Sequence, residues 1–354
     1  MSNHPRRAID HHTRQPSLSS DAPEAIERFF NFEWAACGRL GREVPRRYLW
    51  SMDPQTVFEK LGGTDEGGFL AIHSEVAHTG EGTPYLRHPG VALISQPNVN
   101  IEGLRPFLEG YGDELGFDGY LDDPTPLPPG SLLLKTAGQT CYSSFGPKRT
   151  YNDKAQRYFD NLSSSGHGSV FEHAVFSFFL YGVSRAITHE VVRHRAGTAF
   201  SQLSQRFVSG KVLRFVERPE YQEVPSLHKR FEERIDYLAR EYDEVADELV
   251  ELQTQGDPRL IAEARTDMRK RVQQTARSVL PNESETTMVL SANVRSWRHM
   301  IEMRTDQHAE REIRDLYFRI FLCLRLLEPM LFEDYRIESF ADGTYGASTD
   351  WRKI

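Results

Sequence analysis

A stripe of apolar residues at Leu227, Phe231, Ile235, Leu238, Tyr242, Val245, Leu249 and Leu252 limits the fold more than any other feature of the chain. Gaps of four and three mark one face of an α-helix, held for roughly seven turns and about 39 Å at about 1.5 Å per residue. Ser226 is placed to cap it. Such a stripe describes packing and carries no chemistry. Upstream, His173 to Gly182 alternates and is rich in Val and Phe, which predicts a strand. It leads into a short helix over Ser184 to Val192, with Ala186, Ile187 and Val191 as packing positions. Asp257-Pro258 reads as the start of another helix, with Ala264, Met268 and Val272 on one side and its end at Leu280-Pro281. A last helical stretch, from about Asp306 to Leu327, includes Ile313, Leu316, Ile320 and Leu324. The pattern predicts a mixed α/β (α+β) fold in which helices dominate.

The 354 residues suffice for a well-buried core and suggest about two domains. Residues 1–22 are polar and Ser-rich, which predicts a disordered tail, and Glu24 to Phe32 reads as a helical opening. The Pro-rich run Asp122 to Gly130 is the best linker candidate, setting off residues 23–130 as an N-terminal extension. Gly62-Gly63 and Gly67-Gly68 read as turns, because no phosphate-loop frame surrounds them. A net charge of −8 argues against a nucleic-acid partner. Three cysteines, Cys37, Cys141 and Cys323, without CxxC spacing argue against a disulfide framework or a thiolate zinc site. With no signal-peptide pattern and no apolar run long enough for a membrane span, the expectation is a cytoplasmic protein.

Chemistry concentrates at Arg193-His194-Arg195. These cations follow the short helix, where the macrodipole favours positive charge and a polyanion can be clasped. The loop then runs through small and hydroxyl residues to Arg206. One reading makes the cluster a helix cap. The other makes it a site for a small anionic ligand, since guanidinium forks suit phosphate oxygens. His189-Glu190-Val191-Val192-Arg193-His194 imitates a zinc-protease HExxH motif. Its second histidine falls five residues on, about 140° around a helix, so no zinc site is expected. Ser204 lacks a His/Asp order that would make it a triad nucleophile.

These blocks resemble the flavin-dependent thymidylate synthases (ThyX). The family signature is Arg-His-Arg, seven residues, then Ser, usually followed by x-Arg-Tyr. Here Arg193-His194-Arg195 precedes Ser204-Gln205-Arg206-Phe207 by eight residues, with Phe in place of Tyr. Further matches occur in order at Gly166-His167-Gly168-Ser169-Val170-Phe171-Glu172-His173, Ala276-Arg277-Ser278-Val279-Leu280-Pro281-Asn282, Asn293-Val294-Arg295-Ser296-Trp297-Arg298-His299 and Met303-Arg304-Thr305-Asp306. The resemblance implies a domain over residues 131–345, a central sheet flanked by long helices, with 346–354 as a C-terminal tail.

The resemblance also implies an activity: reductive methylation of dUMP to dTMP with 5,10-methylenetetrahydrofolate and NADPH as co-substrates, in a homotetramer with shared sites. It places FAD against His167, Ser169, Arg193, His194, Arg195, Gln202, Asn293, Arg295 and His299. No Rossmann glycine turn is present, so side chains and loops would hold the cofactor. The nucleotide falls to Glu190, Arg193, Gln202, Ser204, Gln205, Arg206, Arg277 and Arg304. Arg304 is the catalytic candidate, stabilising charge on the pyrimidine. On local sequence alone, Arg277 also reads as a helix C-terminal cation and Arg304 as an ion-pair partner of Asp306 or Glu302. The longer loop leaves open a relative that methylates another pyrimidine nucleotide, such as UMP. A non-catalytic nucleotide-binding protein is the alternative of a different class.

Overall fold

The computed structural model describes residues 52–207 and 213–351 of the chain. The expected tail at 1–22, the helical opening at Glu24 to Phe32, and Cys37 lie outside the described residues. Along the chain, helix α1 (Pro54–Lys60) is followed by five strands. These are β1 (Gly63–Asp65), β2 (Leu70–Ile72), β3 (Val76–His78), β4 (Pro84–Leu86) and β5 (Gly90–Ser95). Helices α2 (Pro129–Thr140) and α3 (Ala155–Ser164) precede β6 (Val175–Ser184), which runs directly into α4 (Arg185–Val191). Strands β7 (Thr198–Gln202) and β8 (Phe215–Val216) lead to α5 (Pro225–Thr254) and α6 (Arg265–Ala276). Strand β9 (Glu285–Asn293) turns directly into α7 (Val294–Arg304). Helix α8 (Arg311–Leu327) and a hairpin of β10 (Arg336–Ser339) and β11 (Tyr345–Ser348) complete the described fold.

Six strands form one antiparallel sheet in the order β1-β2-β5-β6-β9-β7. Its core face follows the two-residue period of a strand: in β9, Thr286, Met288, Leu290 and Ala292 are buried while the residues between them are partly exposed. Beneath that face lies α8, buried from Glu312 to Leu324 except at Asp315. Its apolar residues pack into the core, and its buried charges, Glu312, Arg314 and Arg319, are each paired. The protein is thus a mixed helix-and-sheet fold of the expected class.

The sheet crosses the boundary expected at residue 130. Strands β1, β2 and β5 all precede it, and β5 pairs with β6 from Gly90↔Tyr181 to Leu93↔Phe178. The Pro-rich run is no free linker either. Asp123 Oδ2 accepts the Asn152 N–H at 2.8 Å, and Glu328 accepts the Gly130 and Ser131 N–H groups at 2.6 and 2.9 Å. Pro and Gly signal a lack of regular backbone bonding, not a lack of tertiary contact. At the other end, β11 pairs with β10 and Thr349 is buried, so ordered structure continues past residue 345.

Helix boundaries shift for local reasons. Pro225 takes the first position of α5, so Val224 is its N-cap and Ser226 lies inside the helix. Asp257 accepts the Arg259 N–H at 2.8 Å in a turn, and α6 begins only at Arg265. Asp306 likewise holds a turn through the His308 N–H, delaying α8 to Arg311. Of the long stripe, Phe231, Ile235 and Tyr242 are buried, the first two against Tyr85 and Phe215 of the small sheet β3-β4-β8. Leu227 and Leu252 at its ends stay exposed.

Candidate active site

Both central strands turn straight into helices, each capped by a side chain at the corner. The Ser184 hydroxyl accepts the Ile187 N–H at 3.4 Å, and Asn293 Oδ1 accepts the Ser296 N–H at 2.9 Å. Helix α4 ends at Val191, and Arg193 and His194 lie in the chain just beyond it. The turn there brings Arg193 back onto Glu190 at 3.0 Å. The last residue of α7, Arg304, reaches the same place from the other side. Its Nη2 donates to the Glu190 carbonyl at 3.0 Å, its Nη1 to Glu190 Oε2 at 3.3 Å, and its Nε to His194 Nε2 at 2.8 Å. Arg304 is therefore paired, with Glu190 and His194 rather than with Asp306, whose carboxylate serves its own turn.

That geometry fixes the histidine. An arginine Nε–H can only donate, so His194 Nε2 carries the lone pair and the ring proton sits on Nδ1. Burial, then the adjacent Arg304 charge, holds the His194 pKa down to about 4. The Glu190 pKa is lowered too, chiefly by the hydrogen bond from Arg193 with Arg304 adding to it, which for a carboxyl favours the charged form. The cluster at neutral pH is two guanidinium groups, one carboxylate and one neutral imidazole.

A cavity of about 540 Å³ opens beside this cluster. Arg193, His194, Arg195, Asn293, Arg295 and His299 line it, which gathers six of the nine expected FAD residues. Its one acidic lining residue among the described residues, Glu172, is bound to Arg295 at 2.5 Å. A second cavity of about 400 Å³, lined by His167, Ser169 and again Arg295, adjoins it. The loop after Arg195 turns tightly at Ala196–Gly197. Gly197 adopts a left-handed φ of 68°, and Ser296 Oγ donates to the Ala196 carbonyl at 2.7 Å. A side chain at 197 would meet Ser296 Oγ and Asn293 Nδ2 within 2.5 Å.

Of the nucleotide candidates, Arg193 lines the first cavity, and the others, Glu190 and Arg304 included, lie outside both linings. Gln202, on β7, donates to Thr188 Oγ1 of α4 at 3.2 Å. Ser204 and Gln205 occupy the following turn, and Arg206 donates to Gln274 of α6 at 3.4 Å. Arg277 follows α6 in a 3-10 turn. Here the sequence reading missed a residue. Arg185, first in α4, has a buried Nη1 without a hydrogen-bond partner among the described residues. Burial and the nearby Arg277 charge lower its pKa. A half-buried guanidinium beside another, with an orphaned donor, is what an anion site needs. Ser184-Arg185 at a strand–helix corner was the available signal, but a lone arginine there looks like any surface cation.

A family model described as "Thymidylate synthase complementing protein" matches residues 127–330. The chain is 37% identical over 221 residues to a flavin-dependent thymidylate synthase of Mycolicibacterium gilvum, covering 62% of this chain and 85% of that protein. It is 37% identical over 220 residues to the Mycobacterium tuberculosis protein of the same name, with the same coverage. A third, from Mycolicibacterium vanbaalenii, is 38% identical over 224 residues, again covering 62% and 85%. Fold and site thus define an enzyme of the flavin-dependent thymidylate synthase class. The chain belongs to that family.

The His194 geometry has a pH signature. Its folded pKa lies below the ordinary 6.5, so the stability linked to the neutral ring is fully present above about pH 6.5 and is lost as pH falls towards 4. His194→Gln, which keeps an oxygen acceptor for Arg304, is expected to lose less stability than the native chain over that window in urea unfolding. An identical pH dependence for both proteins would contradict the neutral-imidazole assignment.

Proposed function

We propose that the protein converts dUMP to dTMP, taking the one-carbon unit from 5,10-methylenetetrahydrofolate and reducing equivalents from NADPH, with tetrahydrofolate and NADP⁺ as the other products. The observation that carries this reading is the convergence of Arg304 and Glu190 on the turn of Arg193 and His194, two residues that line a cation-rich cavity. A flavin dinucleotide fits the donor set: Arg193, Arg195 and Arg295 offer forks to phosphate oxygens, and Asn293 and His299 offer neutral polar edges. FAD, when bound, supplies the hydride relay between NADPH and the one-carbon unit.

The chain's own residues hold substrate and charge. Arg185, Arg206 and Arg277 are the grip for the nucleotide phosphate, where the orphaned Arg185 Nη1 would gain an acceptor. Gln202, Ser204 and Gln205 supply neutral polar contacts beside it. Arg304 stabilises negative charge on the pyrimidine as C5 becomes nucleophilic. Three of its five N–H groups are taken by His194 and Glu190, which fixes the guanidinium while leaving donors for the ring. His194 acts as a positioning group and moves no proton.

The outer face of the sheet supports a homotetramer. Ile94, Val175 and Phe179 on it are 48, 47 and 37% exposed, an apolar surface that association would cover. Light scattering is expected to give a multiple of 40.7 kDa; the mass of one chain with flavin bound would contradict shared sites.

Arg304→Ala is expected to retain FAD but lose about 10²- to 10³-fold in dTMP formation, the usual loss for a preorganised donor at developing charge. Lysine should rescue little, since it keeps the charge but not the planar fork. Near-normal turnover by Arg304→Ala would remove this residue from the mechanism.

A further inference from the structure

Arg295 stands where ordinary helix physics does not favour it. It is the second residue of α7, in the first turn, where the macrodipole repels a cation. Its ion pair with Glu172 gives no stability reason for the placement. The two side chains are 43 and 48% exposed, and pairs so exposed to solvent contribute little to stability. A local rule broken without a compensating gain in stability points to function.

Two contacts decide where the guanidinium lies. On one side Nη1 meets Glu172 Oε1 at 2.5 Å. On the other it lies against the bare Cα of Gly168. A Cβ there would stand 3.0 Å from Nε and 3.1 Å from Cζ, so the backbone at 168 makes room for the group. Held from both sides, Arg295 is the side chain common to the two cavities, and a ligand extending from one to the other must pass it.

We propose that Glu172 is a positioning residue. Together with Gly168 it fixes Arg295 as the partition between the two cavities, and through Arg295 alone it strengthens binding of the flavin dinucleotide. Glu172 makes no contact of its own with the ligand. A carboxylate among cations facing an anionic ligand would by itself weaken binding; its benefit comes from orienting a fork that otherwise samples many rotamers. The proposal rests on the flavin reading above.

The test is a double-mutant cycle on flavin affinity, measured by quenching of flavin fluorescence on the full chain without substrates. Glu172→Gln and Arg295→Met are each expected to weaken FAD by about tenfold, the scale of one charge-assisted hydrogen bond. The double variant should bind no more weakly than Arg295→Met alone, because Glu172 acts only through Arg295. Gly168→Ala, which displaces the guanidinium with Glu172 intact, should weaken FAD in the same way. Thermal unfolding of Glu172→Gln should match the native chain. Additive losses, or a Glu172→Gln variant that binds FAD as well as or better than the native chain, would overturn the positioning role while leaving the flavin reading intact. A native chain that binds no flavin would remove both.

Discussion

Two helix C-termini meet, and the rest of the site depends on their meeting. Strands β6 and β9 are antiparallel neighbours, and each passes without a loop into a helix that folds back over the sheet. Helices α4 and α7 therefore end near one another, with the Arg304 guanidinium bonded to the Glu190 carbonyl in the last turn of α4. Carbonyls at helix C-termini carry partial negative charge, so cations gathered there are stabilised before any ligand arrives. Arg193, Arg195 and Arg304 can crowd together because the backbone offsets part of their repulsion. His194, kept neutral, adds no further charge.

The same corners need rigid support. Helix α7 is held from below by Arg298, buried and bonded to Asp334 at 2.8 and 2.7 Å and to the Leu331 carbonyl at 2.6 Å. The start of α4 is held by Glu312 of α8, which accepts the Ser184 N–H at 2.7 Å and its hydroxyl at 2.8 Å. Burial raises the Glu312 pKa, while the Ser184 bonds oppose the shift. Charges placed this deep contribute to a unique arrangement only while every partner is present. These anchors set the backbones of α4 and α7, and the side chains at their ends then fix one another.

Much of this was legible in the sequence, and the failures have a common cause. The alternation in β6 and the abrupt passage into α4 were readable, because a half-buried strand and a short amphipathic helix leave their periods in the residues. The cluster at 193–195 was readable as a helix-end cation group for the same reason. The strands β1 and β2, at three residues each, are too short to show a period, so the sheet's extension before residue 130 was invisible. The start of α6 was misplaced because Asp257-Pro258 forms a turn that uses the same residues as a helix start. Arg185 and Glu172 were missed because their roles depend on neighbours 92 and 123 residues away, Arg277 and Arg295, which no local pattern records.

The central claim is that this cation-lined convergence serves carbon transfer to a pyrimidine. The most direct measurement follows a labelled methylene carbon of 5,10-methylenetetrahydrofolate in the presence of dUMP, NADPH and the flavin-loaded protein. The account predicts that the label appears in the C5 methyl group of dTMP, that omitting NADPH abolishes it, and that UMP does not replace dUMP. Label remaining wholly in the folate while the folded protein retains its flavin, or label appearing in a methylated UMP instead, would contradict it.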